Sequence, residues 1–502
     1  MRPPPYYLLI WTTFIVPVLA SSGRHFQRPL AASFELGESV IAERYDQEQV
    51  WRIHLQKSQK SMEEAISYVE DMNLDLWGTT KDFLDVRLNH EQKLLLQTSM
   101  GDGAVFESFI SNLQSLIKLT TPIDYADPSH FKEDEEEEED SSLSRKRKEH
   151  GEDKRPNVDP FNLTTLDTPF HDNYHTFEDL YKFGSTIVEI FNDQQGLKVW
   201  EFDVGKTWEG RAIKGWSAKL ESDEAQSDVR GNRIKKEDES EELEKEIVIM
   251  SGQHGREWVG PSSALYFLHS LLLSSISSTP SDTRLLLRHF TFTVIPTINP
   301  DGFVYSRSHR MWRKNRQPVG HKSCVGIDLN ANWGYDWTGQ NEPSPCKDNY
   351  PGNEAFEAWE TKAVGEWLAR GEERGLKVIG FVDLHSYGQL FMFPFAHSCK
   401  DFPEDAEMLM EAGLGVVKAI RMTHGETYET GQACDLTFRS PGDSVDYSYG
   451  VTDVRWSYSA ELRDTGTYGF MLPRNFIRPT AEEITAGLLY LAKFIYIAEA
   501  GP

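Results

Sequence analysis

The chain has 502 residues, of which 39% are hydrophobic and 12% aromatic, and a formal net charge of −27 at pH 7. This length is too great for one ordinary domain, so we expect two folded units joined by a linker. The strong negative charge argues against nucleic acid or an anionic membrane surface as a partner.

The first twenty residues have the pattern of a secretory signal peptide. Arg2 precedes an apolar stretch, residues 6–20, which ends at Ala20 before two serines. Such a stretch is short for a bilayer core of ~30 Å, so we favour a cleaved signal over residues 1–21 rather than a membrane anchor. We therefore predict a secreted protein with no membrane association after cleavage.

Residues 22–126 form the first predicted domain. Apolar and polar side chains alternate over residues 51–56 and again over residues 84–88, as in half-buried strands. Residues 62–72 and 106–119 have the period of amphipathic helices. Strands that alternate with helices over this length predict a small α/β domain.

Residues 127–173 are predicted to be a linker. Eight consecutive acids, residues 133–140, are followed by the basic run 145–148 and a Lys-Arg pair at 154–155. Such a segment cannot bury enough apolar surface to fold, and it is accessible to proteases. In a secreted protein these basic pairs indicate processing by a Lys-Arg-specific convertase, with charge balance as the alternative. Asn162 begins an Asn-Leu-Thr acceptor for N-glycosylation.

Residues 174–502 form the large predicted domain. Buried strands are predicted at residues 247–250, 290–295 and 378–382. Helices are predicted at residues 176–192, 262–272, 356–369, 406–422 and 481–498. This alternation predicts an α/β fold whose sheet is covered on both faces. The charged residues 221–246 are predicted to be an exposed insertion.

Two short motifs that directly follow apolar strands carry candidate metal ligands. His254 and Glu257 have the spacing His-x-x-Glu on the turn after residues 247–250, and His385 follows residues 378–382. Active sites of α/β sheets gather at the carboxyl ends of strands, so these side chains can meet. Catalytic zinc usually takes three protein ligands and one water. For His385 alone, a hydrogen-bonded core histidine is the alternative.

Motifs of the large domain resemble those of the zinc carboxypeptidases of the carboxypeptidase A type, in the same order. They are residues 254–258 (HGREW), 299–302 (NPDG), 311–314 (MWRK), 383–387 (DLHSY) and 461–466 (ELRDTG). The resemblance implies the zinc carboxypeptidase fold, a mixed sheet flanked by helices on both faces, preceded by a small α/β prodomain. It also implies one Zn²⁺ per chain.

The resemblance assigns a role to each site residue. The implied zinc ligands are His254, Glu257 and His385. Asp328 would orient His254, and Glu461 would be the general base for the zinc-bound water. Arg313 would stabilise the developing oxyanion together with the metal. The implied substrate groove is lined by Arg256, Asn330, Ala331, Ser386, Tyr387, Phe438 and Val445.

Two of these positions depart from the family pattern. The family holds the terminal carboxylate of its substrate with an Asn-Arg pair, and here Asn330 is followed by Ala331. Loss of one partner of a buried charge pair costs about 2–5 kcal/mol, which weakens productive binding roughly thirty- to several thousandfold. Phe438 replaces the mobile tyrosine of the family, and the lost hydroxyl donor is worth about 0.5–1.5 kcal/mol.

Val445 stands where the family sets its side-chain preference, and an apolar residue there favours apolar or aromatic C-terminal residues. The four cysteines of a secreted chain indicate two disulfides, for which three connectivities are possible. We favour pairing between neighbours, Cys324 with Cys346 and Cys399 with Cys434.

Within the family, the signal, prosegment and acidic linker are most similar to those of the fungal extracellular-matrix, cell-wall carboxypeptidase-like proteins. That subgroup is described as inactive because its catalytic glutamate is replaced. This chain keeps Glu461, so the stated reason for inactivity does not transfer to it. The arginine missing at Ala331 offers a different reason.

Three functions are compatible with these observations. The first is a zinc-loaded pseudopeptidase that binds peptide or protein C-termini, or wall proteins, and contributes to cell-wall organisation. The second is an active carboxypeptidase that releases apolar or aromatic C-terminal residues, for which Arg439 or Arg455 would have to replace the missing arginine. The third is a structural module without metal. We expect a monomer covered by its own prosegment, in the extracellular space or cell wall, with the vacuole as the alternative.

Overall fold

The computed structural model describes residues 43–55, 62–80, 82–120, 161–221, 243–277, 281–339 and 344–499. The predicted signal peptide, the charged runs of the linker and residues 222–242 of the predicted insertion lie outside these residues. All described residues belong to one compact unit.

A four-stranded antiparallel sheet with helices forms the small domain. The strands are β1 (Gln49–Leu55), β2 (Asp75–Thr79), β3 (Phe83–Leu88) and β4 (Ala104–Ile110), in the order β2-β3-β1-β4. The helices are α1 (Met62–Asp71), α2 (His90–Met100) and α3 (Leu113–Thr120). Apolar residues of α1 and α2 form a common core with β1 and β3, so this sheet has its own hydrophobic centre.

The helix predicted over residues 106–119 is wrong in its first half. Residues 106–110 belong to β4, and α3 begins only at Leu113. The aromatic and β-branched residues of β4 favour a strand, and β4 pairs with β1. Helix α2 was not predicted, although Asn89 and Gln92 form a capping box that marks its start.

The large domain is built on an eight-stranded mixed sheet, which confirms the predicted fold class. Its strands are β5 (Leu197–Lys206), β6 (Ala212–Leu220), β7 (Glu244–Ser251), β8 (Phe290–Ile295), β9 (Leu376–Ser386), β10 (Leu390–Phe393), β11 (Glu429–Gln432) and β12 (Trp456–Leu462). They lie in the order β11-β10-β12-β9-β7-β8-β6-β5. The central pairs β12-β9, β9-β7 and β7-β8 are parallel, whereas β5-β6, β6-β8 and β10-β12 are antiparallel.

Helices cover both faces of this sheet. They are α4 (Phe177–Phe191), α5 (Val259–Ile276), α6 (Asp282–His289), α7 (Pro300–Tyr305), α8 (Trp359–Ala369), α9 (Ala406–His424), α10 (Ala433–Leu436), α11 (Ser444–Gly450) and α12 (Ile477–Glu499). Alternate residues of β7 enter two separate hydrophobic clusters, Ile247 and Ile249 in one, Val248 and Met250 in the other. The strand is therefore buried on both faces, as a continuous apolar run predicts. By length and composition α5 could cross a membrane, but 83% of it is buried in the protein, as in a core helix.

The large domain begins earlier than residue 174. Leu163, Phe170 and His171 are buried in its core, and Arg478 of α12 bonds the carbonyl oxygen of Thr168 at 3.0 Å. The predicted linker therefore cannot extend to residue 173, because residues 161–173 have apolar anchors that pack under α12. Asn162 lies here with its side-chain oxygen accepting a bond from the Thr164 hydroxyl at 2.7 Å, and its glycosylation stays a prediction.

The end of the predicted insertion also belongs to the fold. Glu246 lies within β7 and is fully buried, where it accepts bonds from Thr293 at 2.6 Å and Arg374 at 2.9 Å. Its charge is satisfied by these partners, which is how a charged residue enters a central strand. Both predicted disulfides, Cys324–Cys346 and Cys399–Cys434, are present.

Candidate metal centre and substrate groove

Three neighbouring parallel strands place the candidate site residues at one edge of the sheet. His254 and Glu257 lie on the turn between β7 and α5, and His385 is near the end of β9. Glu461 is in β12, directly opposite His385 in the register of the two strands. The topology therefore brings together residues that are more than two hundred positions apart, as expected at the carboxyl ends of parallel strands.

The three predicted metal ligands converge on one point. The Nδ1 atom of His254 lies 2.7 Å from Oε1 of Glu257, and Nδ1 of His385 lies 3.2 Å from Oε2 of the same carboxylate. The candidate ligand atoms all lie within 4.8 Å of one another, and all three residues are buried. Two imidazoles and a carboxylate are a common ligand set of catalytic zinc.

The other nitrogen of each imidazole is held by a carboxylate. Nε2 of His254 lies 3.0 Å from Asp328, as predicted from the motif, and Nε2 of His385 lies 2.9 Å from Asp383. These bonds leave both Nδ1 atoms to face the common point, so the donor set fits zinc. Asp383 is not among the site residues predicted from the sequence, although it lies two residues before His385 and therefore on the same face of the strand.

Glu461 and Arg313 border the same point. The Oε2 atom of Glu461 is buried and has no hydrogen-bond partner among the described residues. Burial raises the pKa of this carboxyl to about 8, and Glu257 acts in the same direction. A divalent cation at the three ligands would lower that pKa, because positive charge favours the carboxylate. Arg313 bonds Asp328 at 3.0 and 3.2 Å, so one carboxylate orients both His254 and the predicted oxyanion-binding guanidinium.

The place predicted to receive a terminal carboxylate has an acid instead of a base. Asn330 Nδ2 donates to Asp443 at 2.8 Å, and its Oδ1 accepts from Gln253 at 2.9 Å and from the Ser444 backbone at 3.0 Å. Asp443 also caps α11 through the Val445 backbone N–H at 2.8 Å. Burial, with Asp446 adding to it, raises the pKa of Asp443 to about 8. The side-chain amide of Asn330 therefore already forms hydrogen bonds within the protein through both its nitrogen and its oxygen.

Neither proposed substitute for the missing arginine is near this subsite. Arg439 is exposed and pairs with Asp336 at 3.3 Å, and Arg455 pairs with Asp405 at 2.7 Å. Neither is among the described residues that line the cavity over the site. The replacement that an active enzyme would require is therefore not provided by either arginine, because each is held by its own carboxylate.

An apolar wall borders the groove beside this subsite. Val445 is fully buried in a cluster with Leu390, Met392 and Ala433, and the latter three line the cavity. Phe438 lines the same cavity and is 41% exposed. Ser386 and Tyr387 also line it, as the motif predicted. Val445 thus lies beneath the residues that line the cavity, and its effect on side-chain preference stays a prediction.

The small domain lies over the groove and encloses a cavity of about 770 Å³ with it. Asp75 of β2 accepts a bond from Arg256 at 2.9 Å, and Arg256 is only 1% exposed. Trp77 packs edge-to-face on Phe470 and Tyr387, with ring centroids 5.0 and 6.4 Å apart. The interface is therefore both charged and apolar.

A second charged contact lies beside the first. Asp85 of β3 takes a bidentate pair of bonds from Arg52, both at 2.7 Å, and accepts a bond from the Tyr387 hydroxyl at 3.3 Å. Arg52 in turn donates to the Thr465 carbonyl oxygen at 2.9 Å. The small domain thus contacts three of the family motifs, through Arg256, Tyr387 and Thr465.

Solved structures share this fold. A crystal structure of thrombin activatable fibrinolysis inhibitor has a TM-score of 0.68 and 23% identity, covering 89% of this chain and 98% of that one. A crystal structure of carboxypeptidase A from Helicoverpa armigera has a TM-score of 0.69 and 21% identity, covering 91% and 100%. At these identities the likeness establishes the architecture alone.

Sequence comparison is more specific. The profile of the zinc carboxypeptidase family matches residues 194–487. The protein named inactive metallocarboxypeptidase ecm14 of Talaromyces marneffei is 32% identical over 470 residues, which cover 90% of this chain and 73% of that protein. The protein of the same name from Arthroderma gypseum is 31% identical over 518 residues, covering 97% and 81%. Since the family profile matches more than half of the chain and these relatives align over most of their length, the chain belongs to the zinc carboxypeptidase family.

Proposed function

We propose that this chain is a secreted zinc-binding pseudopeptidase that holds one Zn²⁺ at His254, Glu257 and His385. It would bind peptide or protein segments in its groove without cleaving their C-terminal bond. Relatives at 31–32% identity are named inactive metallocarboxypeptidases, which supports the proposal. The observation that carries it is the subsite at Asn330 and Ala331, where the Asn330 amide donates to Asp443 and alanine replaces the arginine of the family pair.

The metal site itself supports a bound ion. Zinc would supply positive charge and an acidified water. The residues of the chain would fix the site, because Asp328 and Asp383 hold the two imidazoles by their far nitrogens. Glu461 presents to the cavity an oxygen that has no hydrogen-bond partner among the described residues. These groups are intact, so the impairment we propose lies in substrate binding.

The size of that impairment follows from the missing contact. A buried, hydrogen-bonded charge partner contributes about 2–5 kcal/mol to binding, which corresponds to roughly thirty- to several thousandfold in affinity. Here the Asn330 amide also donates to Asp443, so this donor is already used. Both effects act against the same ligand group.

The small domain would serve as a prosegment that covers the groove. Its support is the buried contact of Asp75 with Arg256 and the packing of Trp77 on Phe470. Release would follow cleavage at the basic pairs of residues 145–155. The signal-like N-terminus supports an extracellular location, and the resemblance to fungal wall-associated proteins supports a role in the cell wall, with wall proteins as partners.

The test compares the wild type with Ala331→Arg. Each protein is cleaved in the linker, its zinc content is measured by elemental analysis, and release of phenylalanine from a peptide ending in Phe is followed. We expect stoichiometric zinc in both, and turnover by the variant at least thirtyfold above that of the wild type. Adding Asp443→Asn, which keeps a helix-capping side chain and cannot ionise, should increase the gain at a pH above about 8, where the wild-type carboxyl is charged.

The active enzyme is the second candidate, favoured by the intact Glu461, Arg313 and metal ligands. Wild-type turnover comparable to that of ordinary family members would establish it and end the pseudopeptidase proposal. Absence of stoichiometric zinc would instead favour a structural module without metal.

A further inference from the structure

The carboxylate that holds His385 is itself held by two neutral side chains. Oδ2 of Asp383 accepts bonds from Gln253 Nε2 at 2.5 Å and from the Ser444 hydroxyl at 2.6 Å, besides its contact with His385 Nε2 at 2.9 Å. Its Oδ1 is buried and has no hydrogen-bond partner among the described residues. The orientation of this carboxylate, and with it that of the imidazole, therefore depends on Gln253 and Ser444.

The same two residues hold the side chain of Asn330. Its Oδ1 accepts a bond from Gln253 Nε2 at 2.9 Å and one from the Ser444 backbone N–H at 3.0 Å. Gln253 and Ser444 also contact each other, with Nε2 lying 3.2 Å from Oγ. Asn330, Gln253, Asp383 and Ser444 thus form a closed polar ring, which joins the metal centre to the subsite at Asn330.

The orientation of the Gln253 amide in this polar ring is fixed by Trp333. The indole N–H of Trp333 donates to Gln253 Oε1 at 3.1 Å. Because an indole nitrogen can only donate, the amide oxygen must face Trp333, and the amide nitrogen must face Asp383 and Asn330. Gln253, Ser444 and Asp383 are fully buried. Loss of one of these side chains therefore leaves its former partner without water to replace the bond.

Separate segments of the chain supply the polar ring. Gln253 lies on the turn after β7, Asp383 is in β9, Ser444 begins α11, and Asn330 lies in the short helical turn Leu329–Ala331. None of the four is a proposed metal ligand. A displacement of Asn330 would shift Gln253 and Ser444, and through Asp383 it would reach His385.

We propose that Gln253 and Ser444 are positioning residues that couple the metal centre to the subsite at Asn330. A change in the hydrogen bonding of Asn330 then alters the affinity for zinc. Coupling between two binding sites is reciprocal, so zinc changes the affinity for a groove ligand at Asn330 by the same factor. This inference rests on the proposed function, because it takes the zinc site as the one that the chain uses.

The experiment measures zinc affinity of the full chain by competition with a chromophoric chelator. We expect Gln253→Leu and Ser444→Ala each to bind zinc about tenfold more weakly, because each loses a hydrogen bond to a charged carboxylate. Ser217→Ala is the matched control. Ser217 is also buried in the large sheet and bonds Thr293 at 2.7 Å, so its loss should leave zinc affinity unchanged.

Two further measurements distinguish positioning from a general loss of stability. The visible spectrum of the cobalt-loaded protein reports the geometry of the ligands, and we expect it to change in Gln253→Leu and not in Ser217→Ala. Asn330→Ala keeps the backbone N–H that bonds Asp328 at 3.2 Å and leaves every bond to Asp383 in place. We expect it to weaken zinc binding about threefold in the wild type, and to have no effect once Gln253→Leu and Ser444→Ala are combined.

Zinc affinities of Gln253→Leu and Ser444→Ala within twofold of the wild type would overturn the inference. An effect of Asn330→Ala that is equally large with and without the two positioning residues would overturn it as well. A wild-type chain that holds no stoichiometric zinc would refute the proposed function, and the inference with it. If Gln253→Leu fails to fold, Ser444→Ala and Asn330→Ala are each compared with the wild type. The expected losses then support the inference, and unchanged zinc affinity in either variant refutes it.

Discussion

Replacing Asp328 by Asn should weaken zinc binding without removing a ligand. Asp328 is 2% exposed and accepts bonds from His254 at 3.0 Å and from Arg313 at 3.0 and 3.2 Å. An amide of the same shape loses the charge and turns an N–H₂ group toward one of these donors. Loss of such an orienting carboxylate typically lowers metal affinity about 10- to 100-fold, or roughly 1.4–2.7 kcal/mol.

The assay is competition for zinc with a chromophoric chelator at fixed pH. Asp383→Asn is the matched variant, because Asp383 holds His385 as Asp328 holds His254, and a similar loss is expected. Asp336→Asn is the control, since Asp336 pairs on the surface with Arg439. Unchanged zinc affinity in both site variants would refute the reasoning that these carboxylates orient the ligands.

Three further predictions concern stability. Burial lowers the pKa of His269 from 6.5 to about 4. Between these pH values the unfolded chain binds the proton more tightly than the folded one, so the free energy of unfolding should fall by roughly 3 kcal/mol as pH drops from 6.5 toward 4. Urea titrations should show a shallower pH dependence for His269→Gln than for the wild type. Arg463→Met should cost about 3–5 kcal/mol because it leaves the fully buried Glu483 unpaired, and adding Glu483→Leu should recover most of the loss in the same assay. Gly184→Ala should lower the free energy of unfolding by about 1–3 kcal/mol, because the new Cβ would lie 2.3 Å from the ring of buried Trp216. A lowered Tm of the variant would show this loss.

Each stability prediction has a contrary outcome. A pH profile of the His269 variant that matches the wild type would mean that this ring does not titrate between the two states. A double variant at Arg463 and Glu483 as unstable as the single one would show that packing, rather than an unpaired charge, causes the loss. Wild-type stability of the Gly184 variant would mean that the helix moves away from the sheet at little cost.

The central strands could be predicted because they are buried on both faces. Residues 247–250, 290–295 and 378–382 are continuous apolar runs, and the observed strands contain them. Strands β5 and β12 were not predicted, for different reasons. Polar residues interrupt β5 at the edge of the sheet. Serines occupy buried positions of β12, where Ser457 bonds to the side chain of Ser448.

The site could be predicted as far as its residues stand in motifs. His254, Glu257 and His385 were assigned from their order along the chain, and the structure brings them together. Asp443 could not be predicted, because only the fold brings its partner Asn330 beside it. Asp383 could have been predicted, because it lies two residues before His385 on the same strand and therefore shares a face with it.

The docking of the small domain could not be read from the sequence in any detail. The contact joins Asp75 on a strand of the small domain to Arg256 on the turn after β7, 181 positions away in the chain. No local periodicity encodes such a pair, whereas the resemblance did imply that a prosegment covers the groove. The segment 161–173 was assigned to the linker for a related reason, since its buried anchors are irregularly spaced.

The most direct test of the account is the rate of phenylalanine release by the wild-type chain, cleaved in its linker and shown in the same sample to hold one zinc ion per molecule. The account predicts a rate at least thirtyfold below that of an ordinary carboxypeptidase, because Ala331 replaces the arginine of the family pair and the Asn330 amide already donates to Asp443. Release at the rate of an ordinary carboxypeptidase would contradict it.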